Sequence, residues 1–184
     1  MTGEVPDAEA ADLARRATAV HEAAHAIVAL LHGLPVRRAV LIETGGGFVT
    51  LLDPLVELEA VELTTARLAA DDVTQRPVRV PRAWDVPAVV VMLLAGEAAS
   101  ARVLGRHTDG GWVDRYEAEH VLGQALHRPP WGAEVQCLIA GVMRAAEATV
   151  RHQWRWIEAT AAALLERRVL SVDEVRALKP GKDR

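Results

Sequence analysis

His21, Glu22 and His25 stand in the pattern H-E-x-x-H, and these residue types at this spacing can carry out metal-assisted hydrolysis. On a helix, four residues make just over one turn, so both imidazoles leave the same face with Cβ atoms about 5–6 Å apart. Two neutral imidazoles placed in this way can bind one metal ion. Glu22 projects about 100° round the helix from His21, still on the metal side, where it can reach an activated water without having to ligate. The chemistry indicated is water activated by zinc, with a carboxylate as base. The plain alternative is an amphipathic helix whose polar face carries two His. Val20, Ala24, Ile27, Val28 and Leu31 recur at helical spacing, giving the segment an apolar stripe to dock on a core. Imidazoles carried into a core need polar partners, and a metal satisfies both.

The motif needs elements to position it. A first helix is expected from about Asp7 to His32, with Pro6 and Asp7 at its start and Gly33 and Pro35 after its end. A hairpin follows: Val36 to Glu43, a turn at Thr44-Gly45-Gly46-Gly47, and Phe48 to Leu52. The glycines lack the Gly-Lys-Ser/Thr ending of a phosphate loop. Beside a metal helix, such a sheet offers an edge on which an extended peptide can lie. Val40, Ile42, Gly45, Gly46, Gly47 and Phe48 are the candidate substrate-binding residues there; a purely structural hairpin is the other reading.

Residues 53–83 are ambiguous. Leu55 to Ala70 suits a helix, yet Val56 to Leu63 alternates, and Gln75 to Arg82 is basic, Pro-rich and expected as a loop. A second helix is expected from Asp85 to Gly105, with Pro87 in its first turn. It is so apolar that it should be the central buried one. A third follows His107-Thr108-Asp109-Gly110-Gly111 and runs to His127. A long helix or a pair covers Gly132 to Arg168. A short last helix follows the capping box Ser171-Val172-Asp173-Glu174. The expected fold is therefore mainly α (α+β), with a small sheet beside the H-E-x-x-H helix, as one domain over 1–184 with flexible ends at 1–6 and 179–184.

Composition narrows the function. Of 184 residues, 51% are hydrophobic, which suits a packed core. A net charge of −4 and a pI near 6.0 give no footprint for nucleic acid. Arg151 to Trp156 mixes basic and aromatic residues, but Trp154 and Trp156 fall about 200° apart on a helix and form no shared stacking platform. Cys137 is the single cysteine, so neither an internal disulfide nor a cysteine zinc cluster can form, and a cytoplasmic setting is expected. The N-terminus lacks the apolar core of a signal peptide. The longest apolar run, Ala88 to Ala95, is shorter than the roughly 20 residues of a membrane span.

Catalytic zinc usually takes three protein ligands and one water. The candidates for the third are Glu97, His107, Asp109, Asp114, Glu117, Glu119 and His120. Spacing alone does not choose among them. Asp109 also suits a helix N-cap, Asp114 a first-turn carboxylate, and Glu97 stands out as a carboxylate in an apolar helix.

Four stretches, in order, resemble the peptidase domain of the FtsH-type AAA proteases. His21-Glu22-Ala23-Ala24-His25-Ala26 resembles that family's H-E-A-G-H-A, and Val36 to Val49 its substrate-binding strand. Leu94-Ala95-Gly96-Glu97-Ala98-Ala99 resembles L-G-G-R-A-A, and Thr108 to Asp114 a T-G-A-x-N-D-L-like turn into a helix. Leu164-Leu165-Glu166 and Ser171 to Val175 resemble its closing helices, so the likeness covers most of residues 15 to 178. It implies a zincin-like peptidase fold, one zinc ion on His21, His25 and Asp114, Glu22 as general base, and a polypeptide substrate. It also moves Glu97 from the ligand set to the family's arginine position. No Walker A sequence occurs in the chain, so a separate ATPase or further copies of the chain are the expected partners. The rival expectation is a non-catalytic zinc-binding module docked on such a partner.

Overall fold

The computed structural model describes residues 8–42, 46–52, 60–64, 85–107 and 111–181. Helix α1 spans Ala8–Leu31, followed by strands β1 (Val36–Leu41), β2 (Gly47–Leu52) and β3 (Ala60–Thr64). Helices α2 (Val86–Leu104), α3 (Trp112–Leu126), α4 (Ala133–His152) and α5 (Trp154–Arg167) come next, then β4 (Val169–Ser171) and α6 (Val172–Ala177). The fold is mainly helical with one small antiparallel sheet, in the strand order β3-β2-β1-β4.

The helices end where local chemistry requires it. Gly105 caps α2 in the left-handed region at φ 69°, and Asp85 precedes α2 with Pro87 in its first turn. Ser171 and Glu174 form the expected capping box of α6: the Ser171 N–H donates to Glu174 Oε2 at 2.8 Å, and the Glu174 N–H to Ser171 Oγ at 3.4 Å. The long helical stretch 133–167 is a pair, broken at Gln153.

α1 and α2 are the spine. α2 packs against α1, α3 and α4, and its residues Ala88 to Ser100, Val91 apart, are buried. By length and apolar content α2 could cross a membrane; here the same residues form the centre of the core. The inner sheet face, Ala39, Leu41, Val49 and Leu51, packs on α1. Trp156 is buried and its indole N–H donates to the Val175 carbonyl at 2.8 Å, while Arg102 lies 4.6 Å over the Trp154 ring. These two rings are used inside the fold.

The structure corrects one expectation. The strand at Val40 was expected to present an open edge. Instead β1 pairs with β2 on one side, Val40 opposite Phe48, and with β4 on the other, Val40 opposite Val169. β3 covers the far side of β2. Strand alternation turns Val40 and Phe48 to the face away from the helices, while Leu41 and Gly47 face inward. The Ile42 N–H donates to the Gly46 carbonyl at 3.0 Å, and Gly46 turns the chain at φ 86°. Gly45 and the loop expected over Gln75–Arg82 lie outside the described residues.

Leu94 is fully buried in α2. Leu94→Ala should cost about 2–5 kcal/mol and lower Tm by roughly 5–15 °C, read by thermal denaturation. A change within 1–2 °C would contradict the central position of α2.

Candidate metal centre

α1 carries His21, Glu22 and His25 into the interior, and all three are buried. α3 brings Asp114 to them from its first turn, with Gly111 as N-cap. Three ligand-type atoms converge. His21 Nε2 and His25 Nε2 lie 2.9 Å apart, and Asp114 Oδ2 is 2.9 Å from the first and 3.5 Å from the second. Asp114 Oδ2 is buried, yet among the described residues no donor is aligned to give it a hydrogen bond. The three atoms lie within contact distance of one another, close enough to close round a single ion. Among the described residues this is the one His/Cys/Asp/Glu group that can hold a metal ion. Around a tetrahedral zinc with ligands at 2.0–2.2 Å, ligand atoms stand about 3.3–3.5 Å apart, so an ion fits after shifts of a few tenths of an ångström. A cavity of about 10 Å³, lined by His25, Val49, Met92, Leu93 and Asp114, adjoins the cluster, and is about the size of one water molecule's probe sphere.

The second layer of contacts prepares the ligands. His25 Nδ1 lies 2.8 Å from the Met92 carbonyl oxygen. A carbonyl can only accept, so Nδ1 carries the proton, and in neutral His25 the Nε2 lone pair faces the centre. The two imidazoles meet edge to face, with centroids 4.5 Å apart. Gly96 of α2 makes this possible: a Cβ there would lie 2.5 Å from His25 Nε2 and 2.6 Å from His21 Nε2. Gly47 does the same for Glu22, since a Cβ on it would fall 2.5 Å from Glu22 Cγ and 2.6 Å from the Val40 carbonyl oxygen.

Burial pushes the Glu22 carboxyl up to about 7; the charges of His21 and His25 work against this, and that of Asp114 with it. Burial alone would depress His25, but the charge and close approach of Asp114, the charge of Glu22 and the Met92 carbonyl outweigh it and raise His25 to about 9. Burial opposes ionisation of Asp114 too, and the two imidazoles overcome it, holding the carboxyl well below the usual carboxylate range.

The structure thus gathers His21, His25 and Asp114, with Glu22 beside them, and separates the other third-ligand candidates. Glu97 Oε1 accepts from His107 Nδ1 at 3.0 Å. Glu119 pairs with Arg115, and His120 Nδ1 donates to the Tyr116 carbonyl. Glu117 lies on α3 outside the group; Asp109 is outside the described residues. Of the proposed substrate residues, Gly47 touches the site. Gly96 and Met92 were not singled out from the sequence. The signal for Gly96 was present: an isolated glycine inside a strong helix costs about 1 kcal/mol against alanine, and usually has a packing reason.

No family model matches the chain, and no curated protein matches it.

Gly96→Ala should raise the helix propensity of α2 while abolishing zinc uptake, read by elemental analysis beside circular dichroism. Full zinc content in that variant would contradict the packing described. A pH dependence follows as well. The folded value of His25, about 9, exceeds the free value of 6.5. Its contribution to the metal-free fold is complete below pH 6.5 and is lost as pH rises through about 9. A zinc ion bound through His25 would have to displace that proton, so zinc affinity should weaken by up to about tenfold per unit as pH falls. The Tm difference between zinc-loaded and chelator-treated protein should therefore widen from pH 6.5 to 9; a constant or narrowing gap would contradict the assignment.

Proposed function

We propose that the chain is a zinc-dependent endopeptidase for unfolded or flexible polypeptides, similar to the peptidase domain of the FtsH-type AAA proteases. One observation carries the reading: three ligating residues converge, Asp114 among them, while Glu22 lies buried beside them outside the ligand set. Three protein ligands with a fourth position left over are typical of catalytic zinc, whereas structural sites are closed with four. Nitrogen and carboxylate donors suit zinc, with the His-rich set favouring it over magnesium or calcium.

In this reading His21, His25 and Asp114 hold the cation. When bound, it acidifies water and polarises the scissile carbonyl. Glu22 takes the attacking water's proton on a carboxylate oxygen and passes it to the leaving amine. Burial raises its carboxyl to about 7 in the metal-free protein, and the charge of a bound cation would draw it back toward the carboxylate form that accepts a proton. The Met92 carbonyl keeps His25 oriented throughout. Since β1 is paired on both sides, an extended substrate would pair with an outer strand of the sheet rather than with Val40. A separate ATPase or further copies of the chain would deliver it.

A second reading, a zinc-binding module that docks on a partner and cleaves nothing, is favoured by the burial of all four residues and by a cavity of about 10 Å³. Glu22→Gln separates the two. The peptidase reading expects zinc content to be kept and cleavage of unstructured casein to fall by about 10²–10⁴-fold. Unchanged turnover in the variant overturns the role of Glu22. Stoichiometric zinc in a wild-type chain that leaves casein intact supports the module.

A further inference from the structure

Glu97 is a carboxylate in the most apolar helix of the chain, and its surroundings explain only half of it. Its side chain is nine-tenths buried. Oε1 accepts from His107 Nδ1 at 3.0 Å, while Oε2 is buried and has no hydrogen-bond partner among the described residues. An unsatisfied buried oxygen costs stability, and a methyl group in its place would be cheaper. His107 is itself half-exposed, with Nε2 4.0 Å from Glu147 Oε1 on α4. The pair therefore ties the chain just past the C-terminus of α2 back onto the body of α2, and towards α4.

Its position relative to the metal group is the point. Gly96, one residue before Glu97, lies against both imidazoles of α1. Glu97 lies against Gly111: a Cβ on Gly111 would fall 2.9 Å from Glu97 Cβ and 3.1 Å from Cγ. Gly111 is the N-cap of α3, and Asp114 sits on the first turn that follows. Two adjacent residues of α2 thus touch both halves of the ligand set, Gly96 the imidazoles and Glu97 the start of the helix that carries the carboxylate.

We propose that the Glu97–His107 pair is a positioning latch: His107 holds the Glu97 side chain against Gly111, the N-cap of α3, and the pair thereby keeps Asp114 beside His21 and His25 where a metal ion can use all three. The inference rests on the metal-binding reading of those three residues. Glu97 and His107 do not ligate; they act through Asp114. Supporting contacts of this kind typically govern metal affinity by about 10- to 100-fold.

The test is zinc affinity measured by chelator competition, with thermal stability of the metal-free protein as a parallel readout. Glu97→Ala should weaken zinc about 10- to 100-fold while leaving the metal-free Tm unchanged or higher, because a partnerless buried oxygen is removed. Glu97→Gln, whose amide oxygen can still accept from His107, should retain most of the affinity. His107→Ala, at a half-exposed position that should not disturb folding, should match Glu97→Ala, and the double variant should be no weaker than either. In an Asp114→Ala background, Glu97→Ala should have no further effect. Affinity unchanged by Glu97→Ala and His107→Ala in a wild-type chain that binds zinc overturns the latch and leaves the metal site standing. An equal loss with and without Asp114 overturns it in favour of a general packing role. A wild-type chain that takes up no zinc sinks the metal reading, and the latch with it.

Discussion

The contact between Gly96 and two imidazoles is the constraint on which the site depends. α1 and α2 cross where α2 has no side chain, and the rings of His21 and His25 occupy the space that a Cβ would fill. That crossing sets the register of everything else. Met92, one turn earlier on α2, is brought to His25 Nδ1 and selects its tautomer. Glu97, one residue later, is brought beneath Gly111, which starts the helix carrying Asp114. Glu22 is held from the other side by a second close approach, at Gly47 of β2. Backbone without side chains thus covers the chemistry on both sides.

The burial of four ionisable side chains links this centre to the stability of the fold. Without a cation, His25 and Asp114 face each other as a charged pair at 3.5 Å, while Glu22 is driven toward its neutral form. Taking such groups out of water is costly unless they are well paired. A divalent ion held there would replace the proton on His25 and give Asp114 Oδ2 a direct ligand bond. Metal uptake and folding would then draw on the same residues.

What the sequence reveals depends on range. H-E-x-x-H was legible because both imidazoles and the flanking glutamate lie within little more than one helical turn, and periodicity alone sets their geometry. The helix boundaries were legible where a cap chemistry marks them, as at Gly105 and Ser171. The third ligand was not legible from spacing. Seven candidates lie in or after the apolar helix, and the choice among them depends on how α3 is seated against α2; family resemblance, rather than periodicity, pointed to Asp114. β4, at three residues, is too short to carry an alternation, and is a strand because it pairs with β1. The expectation of an open edge at Val40 failed for the same reason: which strand lies at the edge is decided by partners far along the chain. Trp156 shows local reading at its limit, since its hydrogen bond to Val175 crosses nineteen positions.

The central claim is that His21, His25 and Asp114 form the ligand set of one metal ion. X-ray absorption at the zinc edge of the zinc-loaded chain tests this most directly. The account predicts a four-coordinate ion with about two imidazole nitrogens at 2.0–2.1 Å, carboxylate and water oxygens at about 2.0–2.2 Å, and loss of the carboxylate contribution in Asp114→Ala. A sulfur shell near 2.3 Å from Cys137, or a spectrum without imidazole scattering, would contradict it.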